Sequence, residues 1–289
     1  MHTIQNDLLS VTINERGAEL DSIFHKENNL EYLWNADPAF WAKKSPVLFP
    51  IVGTLKDNSY LHGGKLYHLS RHGFARESTF AVSAVSRGAI SFSLTANQQT
   101  LESFPFDFTF TITYSVESSR LSVKYEVTNN GHVPMYFSVG GHPAFKVPLV
   151  PGTVYTDYYL EFTHQEHAGR WPISSHGLIE RESTPLLDHT RRLPLDKKLF
   201  YEDALVFKHL NSEGLSIKSD KTSHGLTLDC KGFPYLGIWA AKDADFVCIE
   251  PWYGIADSVD SNQQLADKEG INKLEAGLQF TATWGLTIF

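Results

Sequence analysis

Short runs of alternating apolar and polar residues recur along the whole chain, whereas apolar residues spaced every three or four positions are nearly absent. Alternation with period two gives an extended strand one apolar and one polar face. Such runs predict strands at 10–14, 19–25, 31–34, 89–94, 107–116, 120–129, 134–139, 153–163, 204–207, 215–218, 226–229, 235–240 and 277–289. Gly17, Asn28-Asn29 and Asn129-Asn130-Gly131 supply the turn signals between them. Residues 38–43 suit one helical turn, and Pro46 and Pro50 force an extended, irregular path on the apolar segment between them. The polar stretch 165–198 reads as a long excursion with little regular structure, either a lid or a surface detour, and 257–273 reads as a loop. No repeat, low-complexity tract or Gly/Ser linker divides the chain. The expectation is a single all-β domain over residues 1–289, built as a sandwich or barrel of antiparallel sheets.

One run departs from simple alternation. In Phe246-Val247-Cys248-Ile249-Glu250-Pro251-Trp252-Tyr253-Gly254 both faces are apolar until a carboxylate appears beside two aromatic rings. As a strand it places Phe246, Cys248 and Glu250 on one face, with Val247 and Ile249 on the other. A glutamate there is either a strand-end charge paired with a Lys or Arg, or a desolvated carboxyl. Desolvation raises a carboxyl's pKa and makes it a better proton acceptor near neutral pH.

Composition narrows the partners. The chain of 289 residues is 42% hydrophobic and 20% charged, with a formal net charge of −8. An acidic chain lacks the basic footprint that nucleic acid or an anionic membrane requires. No apolar stretch approaches the ~20 residues that span a bilayer, and residues 1–14 show no cationic then apolar leader pattern. Two cysteines, Cys230 and Cys248, are expected to be reduced and buried, which points to the cytoplasm.

Three further clusters are candidates for chemistry. Arg71-His72-Gly73-Phe74-Ala75-Arg76 can aim several donors at one place, or form a basic surface turn. In Gly140-Gly141-His142-Pro143 the glycines allow close approach and the proline fixes the chain after a histidine, the natural acid near neutral pH. Asp203 precedes an apolar strand, as a cleft carboxylate or a turn cap. His164 and His167 have HxxH spacing without an HExxH helix or further ligands, which argues against zinc. Dinucleotide, P-loop and GxSxG motifs are absent.

Taken in order, six segments resemble the aldose 1-epimerase (galactose mutarotase-like) family, in particular its bacterial branch near the hexose-6-phosphate mutarotases. They are 34–41, Pro46-Val47-Leu48-Phe49-Pro50-Ile51-Val52-Gly53, His72-Gly73-Phe74-Ala75-Arg76, Gly141-His142-Pro143-Ala144-Phe145, Asp203-Ala204-Leu205-Val206-Phe207 and Glu250-Pro251-Trp252. The resemblance implies a large antiparallel β-supersandwich with a sugar in a cleft, a small-molecule sugar substrate, and no metal or organic cofactor. It implies a monomer or homodimer. Glu250 matches the catalytic base and His142 the acid. His72, Arg76, Asp203 and Trp252 match sugar-binding positions. Leu61-His62-Gly63-Gly64 looks like the LHGG of galactose mutarotases, but spacing gives the sugar-facing role to His72. The family's nearer members carry an arginine shortly before the PVLFP segment, whereas this chain has Lys43 and Lys44. Lys43 is the expected ligand contact there, a point charge in place of a bidentate fork. The implied reaction opens the hemiacetal: a base takes the C1 hydroxyl proton, an acid protonates the ring oxygen, and re-closure gives the other anomer. A glycoside hydrolase using Asp203 as second carboxylate, a phosphosugar mutarotase and a non-catalytic sugar-binding protein are the rival readings.

Overall fold

The computed structural model describes all 289 residues. Its frame is a nine-stranded antiparallel sheet in the order Thr184–Pro194, Tyr158–Arg170, Gly214–Ser219, Thr222–Asp229, Gln279–Ile288, Arg120–Asn129, Phe108–Glu117, Ala89–Thr95, Ala81–Val85. Phe108–Glu117 and Arg120–Asn129 alternate strictly between buried and half-buried positions, because every second side chain faces the core. A second sheet carries Leu205–Lys208, Tyr235–Trp239, Phe246–Tyr253, Val139–Gly141 and Val47–Leu48, with Ala144–Lys146 also paired to Phe246–Tyr253. A four-stranded N-terminal sheet, His2–Gln5, Leu9–Ile13, Leu20–His25 and Leu30–Glu31, closes one side. The sheets share one core of 68 buried residues, so the expected single antiparallel β-supersandwich is what the chain forms. Phe49 stacks on Phe110 of the large sheet with ring centroids 4.6 Å apart, and Trp284 Nε1 donates to Tyr125 Oη at 2.9 Å behind Gly141.

The other face of the second sheet has its own cluster, including Leu48, Val206, Tyr235, Trp252 and Ala256. Phe246–Tyr253 is consequently covered on both sides and buried from Phe246 through Trp252, as its doubled apolar pattern predicts.

Four stretches differ from the sequence expectation. Residues 165–198 are not an irregular excursion: Tyr158–Arg170 and Thr184–Pro194 form a long hairpin at the edge of the large sheet. The first half of Tyr158–Arg170 alternates, as the strand expected at 153–163 requires, but its outer half and Thr184–Pro194 are largely solvated and their pairing is bulged, so they lack the alternation that marks a half-buried strand. Residues 38–43 form turns with no helix, and a helix, Gln98–Ser103, arises where none was expected, started by an Asn97 capping box. The loop at 257–273 contains the short strand start of Asn272–Leu274.

Candidate active site

Glu250 sits on the central strand of the second sheet, opposite Gly237, and faces a cleft of about 470 Å³. The cleft floor is shaped by missing side chains. Gly140 and Gly237, on the two strands flanking Phe246–Tyr253, leave the room that the Trp252 indole occupies, and a Cβ at either would overlap it. The tight glycine approach read from the sequence serves this tryptophan.

His142 follows the Val139–Gly141 strand and meets Glu250, with Nε2 3.4 Å from Oε2. Its ring lies in an aromatic box: Trp41 stacks on it at 5.0 Å, while Trp239 and His72 present edges at 5.6 Å. His72 is pinned by two bonds to Gly53, its own N–H donating to the Gly53 carbonyl at 2.8 Å and its Nδ1 accepting the Gly53 N–H at 3.1 Å. Nδ1 is therefore the acceptor and Nε2 bears the hydrogen. The Arg71 Nε 3.3 Å from that Nε2 is then a second donor, so this approach is not a hydrogen bond. Arg76 comes from the turn Ala75–Glu77, and Asp203, on a left-handed backbone (φ 91°), places its Oδ1 3.6 Å from the Arg71 guanidinium.

Burial decides where protons reside. Desolvation raises the Glu250 carboxyl well above the usual carboxylate range; Arg71 opposes it, Asp203 adds to it, and the nearby Trp252 N–H opposes it slightly. Desolvation drives His142 down to about 3, helped by Arg71 and Arg76 against a backbone bond that favours charge. His72 is likewise held well below the ordinary imidazole value by burial, then by His142, Arg71 and Arg76. Burial therefore favours the proton on Glu250 over one on His142, and both histidines as uncharged rings.

Only five buried side-chain N or O atoms in the molecule lack a hydrogen-bond partner, and four are here: Arg76 Nε, His142 Nδ1, Glu250 Oε2 and Trp252 Nε1. Buried polar groups are ordinarily satisfied, so this concentration marks a place built to meet polar atoms from outside the chain. Cys248 also brings its sulfur within 4.8 Å of the His142 and Glu250 ligand atoms. Its thiol is pushed well up by burial, and with Glu250 protonated this trio presents two protonated groups to any cation. Both cysteines are free and buried, as expected.

Of the residues singled out from the sequence, Glu250, His142, His72, Arg76, Asp203 and Trp252 all line this one cleft. Lys43 does not. Its ammonium pairs with Glu77 at 2.7 Å, and Lys44 pairs with Asp21 at 3.1 Å, so neither lysine is free for a ligand. His62 also lies elsewhere, tilted against Phe106 at 4.8 Å. Trp41 and Arg71, which lay in stretches singled out from the sequence without an assigned role, also line it, and Trp239, Lys242, and Ile173 and Ile179 from between the hairpin arms line it with no signal in the sequence reading. That connecting segment forms a cleft wall. Trp171 N–H donates to the Val206 carbonyl and Ile179 N–H to the Asp257 carbonyl, both at 2.8 Å.

Comparison with known proteins agrees with this geometry. Residues 1–267 match the model of a family described as aldose 1-epimerase. The chain is 32% identical over 282 residues to the chromosomal protein LacX of Lactococcus lactis subsp. lactis, covering 94% of this chain and 93% of that one. A crystal structure of a galactose mutarotase related enzyme from Lactobacillus acidophilus superposes with a TM-score of 0.95 at 34% identity, over 100% of this chain and 97% of that one. A galactose mutarotase-like protein from Lactobacillus casei superposes at 0.93 with 34% identity, over 100% of both. The chain belongs to the aldose 1-epimerase family.

Proposed function

We propose that the cleft interconverts the α and β anomers of an aldohexose by acid–base ring opening, with Glu250 and His142 as the catalytic pair. The observation that supports this reading best is the buried Glu250–His142 approach of 3.4 Å, ringed by unpaired buried donors and acceptors. Anomerisation needs one proton removed at the C1 hydroxyl and one delivered at the ring oxygen, and re-closure returns both. A pair holding one proton is conserved through that cycle. For Glu250 to act as base its proton passes to His142, and the Arg71 charge favours the resulting carboxylate. Arg76, His72 and Asp203 hold hydroxyls, and the Trp252 and Trp239 rings offer faces for the sugar's C–H surface. Each placed acid or base supplies roughly 10²–10⁴-fold.

The test is polarimetry of freshly dissolved α-D-glucose and α-D-galactose with and without the protein. Faster approach to anomeric equilibrium is the expected result. Tight sugar binding with no acceleration would overturn it in favour of a non-catalytic binding protein.

A second reading, a hexose phosphate as substrate, is favoured by the charge of the cleft. Arg71, Arg76 and Lys242 line it against the carboxylates of Asp203 and Glu250, and Glu250 keeps its proton. The lining is thus cationic within a chain of net charge −8. Acceleration confined to hexose 6-phosphates, followed by NMR, would select this reading over a neutral sugar.

The same electrostatics predict the pH profile. His142 is depressed, so the pair gains a second proton only near pH 3, and Glu250 is raised, so the pair loses its proton only well above the ordinary carboxylate range. Activity is lost beyond either edge. We expect kcat/KM to stay flat as pH falls through the ordinary imidazole value of about 6.5. An acid limb centred near that value would overturn this placement of the proton.

A further inference from the structure

The hairpin brings together three exposed side chains, His167, Asp188 and His189, none of which lines the cleft. His167 Nδ1 lies 3.1 Å from Asp188 Oδ1, and His189 Nε2 lies 3.9 Å from the same oxygen. The two imidazoles stack with centroids 4.6 Å apart and planes at 19°. All three candidate ligand atoms fall within 4.8 Å of one another. We propose that this cluster is a surface binding site for a divalent cation of the zinc, nickel or copper(II) class.

Regular strand geometry would not build it. Consecutive residues on a strand face opposite sides, yet Asp188 and His189 both address His167. The pairing slips between Glu166 and Ala168, and His189 adopts a left-handed backbone with φ 47°, which turns its ring to the side of Asp188. That conformation is costly for a residue with a Cβ, and the surroundings hold it. Gln165 Nε2 donates to the His189 carbonyl at 2.5 Å, and the buried Glu166 carboxylate accepts the Asn211 and Ser212 N–H groups at 3.0 and 2.7 Å. The backbone under the three side chains is thus fixed from both arms.

The donor set then selects the ion. Two imidazole nitrogens and one carboxylate suit zinc, nickel and copper(II), whereas calcium and magnesium want oxygen ligands. Zinc bonds of about 2.0–2.2 Å set tetrahedral ligand atoms about 3.3–3.5 Å apart. The His167–Asp188 gap of 3.1 Å is close to that spacing, and the wider gaps, 3.9 Å and at most 4.8 Å, require the exposed rings to rotate on binding. Water would fill the remaining positions on the open side. His164, the other half of the HxxH pair, is not part of the cluster.

Isothermal titration of the full chain with zinc chloride tests this. One Zn²⁺ per chain is expected with Kd on the order of micromolar. The binding should vanish in His167→Ala and in Asp188→Asn, and persist in Glu250→Gln, which alters the buried His142–Cys248–Glu250 trio. Anomerisation by the hairpin variants should match wild type. A second readout needs no variant: Ni²⁺ should broaden the imidazole resonances of His167 and His189 before those of other histidines. Binding that survives both hairpin variants, no binding at about 1 mM zinc, or indiscriminate broadening would each overturn the proposal.

Discussion

Glu250→Gln is expected to lower the rate of anomerisation by roughly 10²–10⁴-fold while leaving the fold intact. The chemical argument is direct: an amide can neither take the proton at C1 nor return it. The structural argument concerns why the substitution is tolerated. Glu250 is buried, and burial favours its neutral form, so glutamine puts an uncharged group of the same size in a place that disfavours charge. Its amide sits across the same 3.4 Å gap from His142 as the carboxyl does. A melting midpoint within a few degrees of wild type, on the order of 1 kcal/mol, is therefore expected alongside the loss of rate. His142→Gln should lose rate comparably, and the two losses should not multiply, since the groups act as one proton-holding unit. A Glu250→Gln enzyme with near wild-type rate would sink the catalytic assignment.

The sequence exposed this residue because strand physics leaves few choices. A run that is apolar on both faces has to be a covered strand, and Glu250 is the charge within it, so its burial follows from its neighbours. Gly140-Gly141-His142-Pro143 was legible for a similar local reason, as the glycines admit Trp252 and Trp284 from adjoining elements. Trp239 was not, and Trp41 was noticed only as the end of segment 34–41 without a role, because a ring in a turn or at a strand end has no period to betray which wall it forms. Lys43 was misplaced because its partner, Glu77, lies 34 residues away and only the folded chain brings them together. The location of the shared proton was half legible. A raised glutamate could be foreseen, but an uncharged His142 depends on Trp41, Trp239 and the Arg71–Arg76 stretch converging from three separate segments. Polar, bulged strands such as Thr184–Pro194 hide for the opposite reason: solvent on both sides leaves no apolar face to read.

The largest expected effect on stability lies behind the cleft wall, at Lys268. Its ammonium meets Asp257 Oδ1 at 2.8 Å, with side chains only 2% and 3% exposed. Asp257 is a junction: its Oδ2 accepts the Lys56 N–H at 2.9 Å and the Ser261 hydroxyl at 3.2 Å, its N–H reaches the Thr54 carbonyl, and its carbonyl takes the Ile179 N–H. Through it the cleft-lining Ala256 and Ile179 are held against Gly53 and Thr54. Burial lowers the Lys268 pKa, and the Asp257 charge beside it opposes that shift. Lys268→Met keeps the packing but strands the carboxylate, which costs about 3–5 kcal/mol for a buried pair broken on one side. At roughly 2–3 °C per kcal/mol for a chain of this size, the melting midpoint should fall by about 6–15 °C. Adding Asp257→Asn should recover part of that loss, because the amide still accepts the Lys56 N–H and no bare charge remains. The wall should also loosen, so KM should rise in Lys268→Met more than kcat falls, the reverse of the Glu250→Gln signature. A single-variant midpoint within about 2 °C of wild type, or a double variant less stable than Lys268→Met, would show that the ion pair is not what anchors this side of the cleft.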